Sequence, residues 1–233
     1  MYRMNNLKNF DKFSIVQDGS WDLLSALIEL GKRKFAPPRT TIINAGDPPG
    51  GLFLVTDGCA DVSFPSSSGE EALCRLCWPG DWFGHVSIFT HVERRATVRS
   101  RTSLSYIYVP APTVLKFLEE DSGHWRTLAS LVIRELQSEM TAHSDLLIGD
   151  SRLRCLATLV RLCGCNGQPP AVDYSRQLPV SQEELGQLTN LCRNGIGTLL
   201  RKFRQNGIIS LQYRGIHVPS VRRLWFNYQE ATI

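Results

Sequence analysis

Apolar positions along this chain change their spacing near residue 40 and again near residue 110, and each change marks a different kind of element. Between residues 40 and 109 they come in short runs, TTII, GLFLVT, CADVSF, ALCRLC, RATVRS and LSYIYV, rich in β-branched and aromatic side chains. Turn formers separate the runs: Gly46-Asp47, Asp57-Gly58, Ser68-Gly69 and Pro79-Gly80-Asp81. Short strands at regular spacing predict a compact β-sandwich or jelly roll. Ahead of them, SWDLLSALIELG predicts a helix over residues 20–31, capped by Ser20 and closed by Gly31.

Beyond residue 110 the spacing becomes helical. A short helix is expected over residues 112–120, and a long one from Gly123 to about Ile148. In the long helix Ala129, Val132, Leu136, Met140, His143 and Leu147 recur every three or four residues. That seam suits a parallel partner helix, with burial against the same chain's β-region as the alternative. Gly149-Asp150 breaks the helix, and SRLRCLATLVRLCG opens a C-terminal domain. The expected divisions are 1–122, 123–149 and 150–233.

Residues 181–203, SQEELGQLTNLCRNGIGTLLRKF, carry the most specific local pattern. Ser181 and Glu184 form an S-x-x-E capping box. A first helix over 182–189 buries Leu185 and Leu188. Asn190 tolerates the positive φ of a turn. A second helix starts near Cys192 or Arg193 and buries Ile196, Leu199, Leu200 and Phe203, which fall at i, i+3, i+4 and i+7. Arg193, Asn194, Gly197, Thr198 and Arg201 fall on its opposite face. Gly207 ends it, and IISLQYRGIHVPS alternates around Arg214-Gly215 as a two-stranded hairpin would. Two helices, a tight turn and a hairpin make a winged helix-turn-helix, against the alternative of an ordinary helical hairpin with a solvated face.

Charge sharpens this picture. The net charge of +4 is unevenly spread. Residues 1–150 hold 15 Lys/Arg and 18 Asp/Glu, a net of −3, and residues 151–233 hold 11 and 4, a net of +7. A basic domain beside a mildly acidic one suits phosphate contact by the basic one alone. Apolar content of 42% and charged content of 21% are those of a globular protein. Apolar runs too short to span a bilayer, and an N-terminus without an apolar signal core, point to the cytoplasm. The 7 cysteines are then expected as reduced thiols. Strand alternation puts Cys74 and Cys77 on opposite faces, which argues against a shared zinc.

The segment QEELGQLTNLCRNGIGTLLRKFRQNGII resembles the helix-turn-helix of the cyclic-AMP receptor protein and fumarate-nitrate regulator (Crp/Fnr) family of bacterial transcription factors. The resemblance extends upstream through AGDPPGGLFLVTDGCADV, WPGDWFGHVSIF and the arginine of ERRATVRS, and covers roughly residues 20–225. It implies an α+β protein: an N-terminal cyclic-nucleotide-binding-like β-roll, a long dimerisation helix and a C-terminal winged helix-turn-helix. The first 122 residues become an effector-sensing domain. The implied partners are near-palindromic double-stranded DNA, a second copy of the chain, RNA polymerase where the regulator activates, and a small-molecule effector. No membrane partner and no catalysis are implied.

In cyclic-nucleotide-binding members an acidic residue after the P-G-D-x-F-G glycine holds the ribose, and an arginine followed by a small hydroxyl residue holds the phosphate. Here the glycine is Gly84 and the acidic position is His85. The arginine is matched to Arg95 and the hydroxyl position to Ala96. The base-contacting pair of the long helix is matched to Glu139 and Met140. An imidazole does not replace a carboxylate acceptor, so the resemblance implies an effector other than cyclic AMP. An iron-sulfur cluster is disfavoured because the first cysteine is Cys59. Haem stays open, with His85, His91, His124 and His143 as axial candidates; no protein-bound metal is assigned. Cys192, at the start of the reading helix beside Arg193, is a candidate redox thiol, because helix N-termini and cations favour thiolates.

For DNA, the resemblance matches Arg193 to a guanine-reading arginine, whose fork suits O6 and N7. Asn194 stands where relatives carry glutamate, and Thr198 where they carry a second arginine, so the expected half-site differs from TGTGA. Arg201 and Gln182 are expected on phosphates. Gly195 and Gly197 cost about 1 kcal/mol each in helix propensity, which close approach to the groove would explain. The rival class is a cupin-like β-roll enzyme with structural C-terminal helices, for which the β-region offers only His85 and His91.

Overall fold

The computed structural model describes residues 21–66, 69, 71–165, 167–213 and 215–232, with side chains from residue 25. Ser20, Ser68 and Arg214, expected at a cap and two turns, lie outside the described residues. The chain divides into two compact units, Met1–Ile133 and Arg134–Ile233.

The first unit opens with α1 (Trp21–Leu30) and continues as β1 (Lys32–Ala36), β2 (Thr41–Ile43), β3 (Leu52–Asp57), β4 (Ala60–Pro65), β5 (Glu71–Cys77), β6 (Trp82–Phe83), α2 (Val86–Thr90), β7 (Thr97–Ser100), β8 (Leu104–Val109) and α3 (Ala111–Glu120). The strands form two antiparallel sheets, ordered β1-β8-β3-β6 and β2-β7-β4-β5. Alternation gives the first sheet two apolar faces. Phe53, Val55, Phe83, Leu104 and Tyr106 meet Ile43, Ala60, Val62, Cys77 and Val98 of the second sheet in the roll's interior. Leu52, Leu54, Trp82, Ile107 and Val109 point the other way, against Leu27, Ile88, Val114 and Leu118 from the helices. The six expected strands are all present. β1 and β6 are additional, and β1 is an edge strand whose Lys32, Arg33 and Lys34 discourage further pairing.

The long helix α4 (Ser122–Leu146) begins in the first unit and ends in the second. In the second unit, Asp150 caps α5 (Ser151–Leu162) by accepting from the Leu153 amide. β9 (Arg176–Leu178), α6 (Gln182–Leu188), α7 (Arg193–Gln205), β10 (Ser210–Gln212), β11 (Gly215–Val218) and α8 (Val221–Glu230) follow. α5 packs on α7 and α8, and α6 packs on α7. Leu156, Leu159, Leu185, Ile196, Leu200, Phe203 and Leu224 are buried in this unit. The hairpin β10-β11 is joined by β9 into a three-stranded sheet, a strand the sequence pattern did not reveal. The whole is the α+β arrangement expected, a β-roll, a long helix and a winged helix-turn-helix.

Candidate functional site

Local chemistry builds the helix-turn-helix. The Ser181 hydroxyl accepts from the Glu184 amide at 3.1 Å, and the Glu184 carboxylate accepts from the Ser181 amide at 2.8 Å, closing the capping box. Leu185 is buried and Leu188 half-buried. Thr189 is fully buried, its hydroxyl donating to Leu185 O at 2.6 Å. Asn190 takes φ of 50°, the left-handed turn its side chain tolerates. α7 then starts at Arg193 with Cys192 as its N-cap. Ile196, Leu200 and Phe203 are buried and Leu199 half-buried. Gln182, Arg193, Asn194, Thr198 and Arg201 are exposed, and Gly197 is half-buried. The last turn of α7 adds Lys202 and Arg204. An exposed helix face without an acidic residue, at the end of a capped two-helix unit, can meet a polyanion and present amide and guanidinium donors to it.

Two arginines anchor this unit internally. Arg154 Nε donates to Thr189 O at 2.7 Å and its Nη1 donates to Ile148 O. Arg161 on α5 pairs with Asp145 on α4 at 3.2 Å, both side chains buried. Burial pushes the Asp145 carboxyl above its ordinary value, and Arg161 opposes the shift. Neither contact could be read from sequence, because each joins residues without a shared periodic face.

In the first unit a glycine-lined notch lies between the loop before β3 and the loop after β6. Gly51 has no room for a side chain, since a Cβ there would meet Val109 O at 1.8 Å. Gly84 has φ of 91°, and a Cβ there would meet Gly51 O at 2.7 Å. One guanidinium fills the notch, and it belongs to Arg94, not Arg95. Arg94 Nη1 donates to Gly84 O at 2.6 Å and Nη2 to Gly51 O at 2.9 Å. Burial pulls this guanidinium below its ordinary value, with Asp47 among the groups opposing it. The Ser87 hydroxyl lies 3.2 Å from both Gly50 O and Gly84 O, stitching the same loops. Arg75 Nη2 donates to Trp82 O at 3.2 Å, so a second guanidinium holds the segment leading to Gly84.

The matched effector residues are thus only partly gathered. Gly84 and the buried His85 lie at the notch. Arg95 is exposed and, with Arg94, Phe64, Pro65 and Val92, lines an open groove of about 780 Å³. Ala96 is half-buried and packs against the roll's interior core. The sequence offered two adjacent arginines just ahead of β7, outside the alternating stretch, so periodicity did not choose between them. Glu139 and Met140 fall in the second unit, half-buried and exposed respectively.

The other candidates separate by environment. His124 stacks on Phe117 with ring centres 4.2 Å apart, and its Nδ1 lies 2.8 Å from Phe117 O. His91 is the left-handed C-cap of α2, and His143 is exposed on α4. Cys59, Cys77, Cys155, Cys163 and Cys165 are buried, Cys74 is half-buried, and Cys192 is exposed. Burial pushes the Cys155 thiol up to about 12. Among the described residues, no helix is long and apolar enough to cross a membrane.

Comparison with known proteins places both regions. Residues 33–121 match the cyclic nucleotide-binding domain family and residues 153–225 the Crp-like helix-turn-helix domain. The chain is 25% identical over 205 residues to the cAMP-activated global transcriptional regulator Vfr of Pseudomonas aeruginosa, covering 85% of this chain and 94% of that one. It is 24% identical over 189 residues to the cAMP-activated global transcriptional regulator CRP of Salmonella typhimurium, covering 80% and 89%. In fold it is similar to FixK2 of Bradyrhizobium japonicum, with a TM-score of 0.67 at 20% identity over 84% of this chain and 96% of that one. The c-di-GMP responsive regulator CLP of Xanthomonas campestris gives a TM-score of 0.64 at 20% identity, over 85% and 98%. These relatives are transcription regulators, which sets the cupin-like enzyme reading aside. With both family models matched in order along the chain, and relatives spanning most of it, the protein belongs to the Crp/Fnr family of DNA-binding transcription factors.

Proposed function

We propose that this protein is a dimeric, sequence-specific regulator whose α7 enters the major groove and whose β-roll answers an effector other than cyclic AMP. The exposed face of α7, with Arg193, Asn194, Thr198 and Arg201 on it and no acidic residue in the helix, carries this reading. Arg193, in the first turn, is assigned a base edge, and Gln182 at the start of α6 a phosphate. Residues 1–122 act as the sensing domain, 123–149 as the dimerisation helix and 150–233 as the DNA-binding domain. The protein works in the cytoplasm, and where it activates it also contacts RNA polymerase.

Support for the dimer comes from α4. Ile133, Leu136 and Met140 are 55%, 58% and 62% exposed, an apolar stripe at alternating spacings of three and four. Two copies joined there present two reading helices, and a symmetric pair reads half-sites about 34 Å apart. Support for a different effector comes from the notch. An imidazole stands where cyclic-nucleotide binders carry a carboxylate, and Arg94 is already bonded to Gly84 and Gly51.

The test is selection of bound duplexes from a random library, followed by fluorescence anisotropy across a salt series. A near-palindromic site, with affinity falling steeply as salt rises, is expected. Salt-insensitive or sequence-blind binding refutes the reading. Titration calorimetry with cyclic AMP should show no binding, and a saturable heat would overturn the effector assignment. An absorbance spectrum of freshly purified protein decides haem by its Soret band.

A further inference from the structure

We propose that Arg201 reads a base edge, not a phosphate, and that Thr198 aims it. This rests on α7 being the reading helix, and specifies how its third turn takes part.

The geometry begins with a relay of hydrogen bonds. Thr198 Oγ1 donates to Asn194 O at 2.9 Å, which commits its one hydrogen to the helix backbone. Its lone pairs remain as acceptors, and Arg201 Nη2 donates to them at 3.0 Å. The guanidinium is thereby drawn one turn toward the helix N-terminus, the end from which recognition helices contact base edges. The direction agrees with the natural tilt of helical side chains. The guanidinium passes over Gly197, where even a Cβ would lie 3.8 Å from Nη1, an ordinary contact distance.

Angular position separates Arg201 from its basic neighbours. At about 100° per residue, Ile196, Leu199, Leu200 and Phe203 centre the buried face. Asn194, Thr198 and Arg201 all fall within about 30° of the opposite direction, along the line that faces a groove floor. Lys202 and Arg204 fall about 70–90° from it, on the flanks where phosphates run; Arg193, about 110° from it, is assigned a base edge because it stands in the first turn, the end that recognition helices lead with. One N–H of Arg201 is spent on Thr198, and the rest of its five-donor fork suits the paired O6 and N7 acceptors of guanine.

The experiment compares wild type with Arg201→Ala, Thr198→Val, Arg204→Ala and Arg193→Ala. Each binds the selected operator and a panel carrying every single base-pair change, at several salt concentrations. Thermal melts confirm that each variant is folded; the substituted side chains are exposed. Arg201→Ala should lose roughly ten- to a hundredfold of discrimination at one base pair of each half-site, with little change in salt slope. Thr198→Val should lose part of the same discrimination and add nothing in the Arg201→Ala background. Arg204→Ala should weaken all duplexes equally and reduce the salt slope by about one. A uniform loss with a reduced slope for Arg201→Ala, or no loss, overturns the proposal. A Thr198→Val variant with wild-type discrimination overturns the aiming role. If Arg193→Ala also leaves affinity and preference unchanged, the reading of α7 itself falls, which is distinguishable from Arg201 failing alone.

Discussion

Cys192 occupies a position where chemistry and structure pull apart. It is the N-cap of α7, with extended backbone, and its side chain makes no capping bond. A serine hydroxyl there accepts from the first turn, so Cys192→Ser should stabilise the protein by about 0.5–1 kcal/mol in urea denaturation. The same variant tests the thiol as a redox trigger: peroxide should weaken DNA binding by wild type and not by the variant, and equal sensitivity removes the thiol from the mechanism. The Asp145–Arg161 pair behaves oppositely, because both partners are buried. Arg161→Met strands a carboxylate and should cost about 3 kcal/mol or more, whereas Asp145→Asn leaves Arg161 an amide oxygen to donate to and should cost less. Such long-range pairs are invisible to sequence patterns. Arg94 illustrates the same limit: the resemblance was matched to Arg95, and the packed loops turn the neighbouring Arg94 guanidinium inward.

At the level of elements, legibility followed locality. The capping box, the Asn190 turn and the apolar face of α7 are set by residues a few positions apart, and each was readable. β1 was not, because Lys32, Arg33 and Lys34 mask a strand that exists by pairing with β8. β9 was missed because its three residues owe their conformation to β11. α7 carries a cost that the proposed approach to the groove would explain: Gly197→Ala should raise stability by up to about 1 kcal/mol and weaken DNA binding by narrowing the helix's approach. Stability by denaturation and affinity by anisotropy on one sample separate the effects. α8 adds an acid-sensitive joint. Ser220 donates to Asp173 at 2.7 Å and the Arg222 amide at 3.0 Å, which lowers the Asp173 carboxyl below its ordinary value. A depressed folded value stabilises above the unfolded value of about 3.9 and fades as pH falls through the folded one. Wild type and Asp173→Asn should therefore differ in unfolding free energy at pH 7 and converge once the pH has fallen below the depressed folded value.

For the molecule as a whole, an apolar stripe along α4 and the segregation of charge were both legible from sequence, with one adjustment. Ile133, not Val132, keeps the alternating spacing with Ala129 and Leu136, and it is the more exposed of the two. Leu136→Asp with Met140→Asp should convert a sedimenting dimer to a monomer and cost most of the operator affinity, because a monomer holds one half-site. Dimeric sedimentation by the double variant would place the self-association elsewhere.

The Arg94 bonds carry a consequence for any molecule that reaches the notch. With both carbonyls engaged by one guanidinium, binding there is a substitution reaction. The newcomer must outbid two existing hydrogen bonds and leave Gly51 O in need of a new donor, while the Ser87 hydroxyl stays 3.2 Å from Gly84 O. A neutral ligand gains little from that exchange, while a full negative charge shifts it, since charge-assisted bonds are about twice as strong. Any occupant of the notch therefore competes with the chain's own carbonyls for the Arg94 guanidinium.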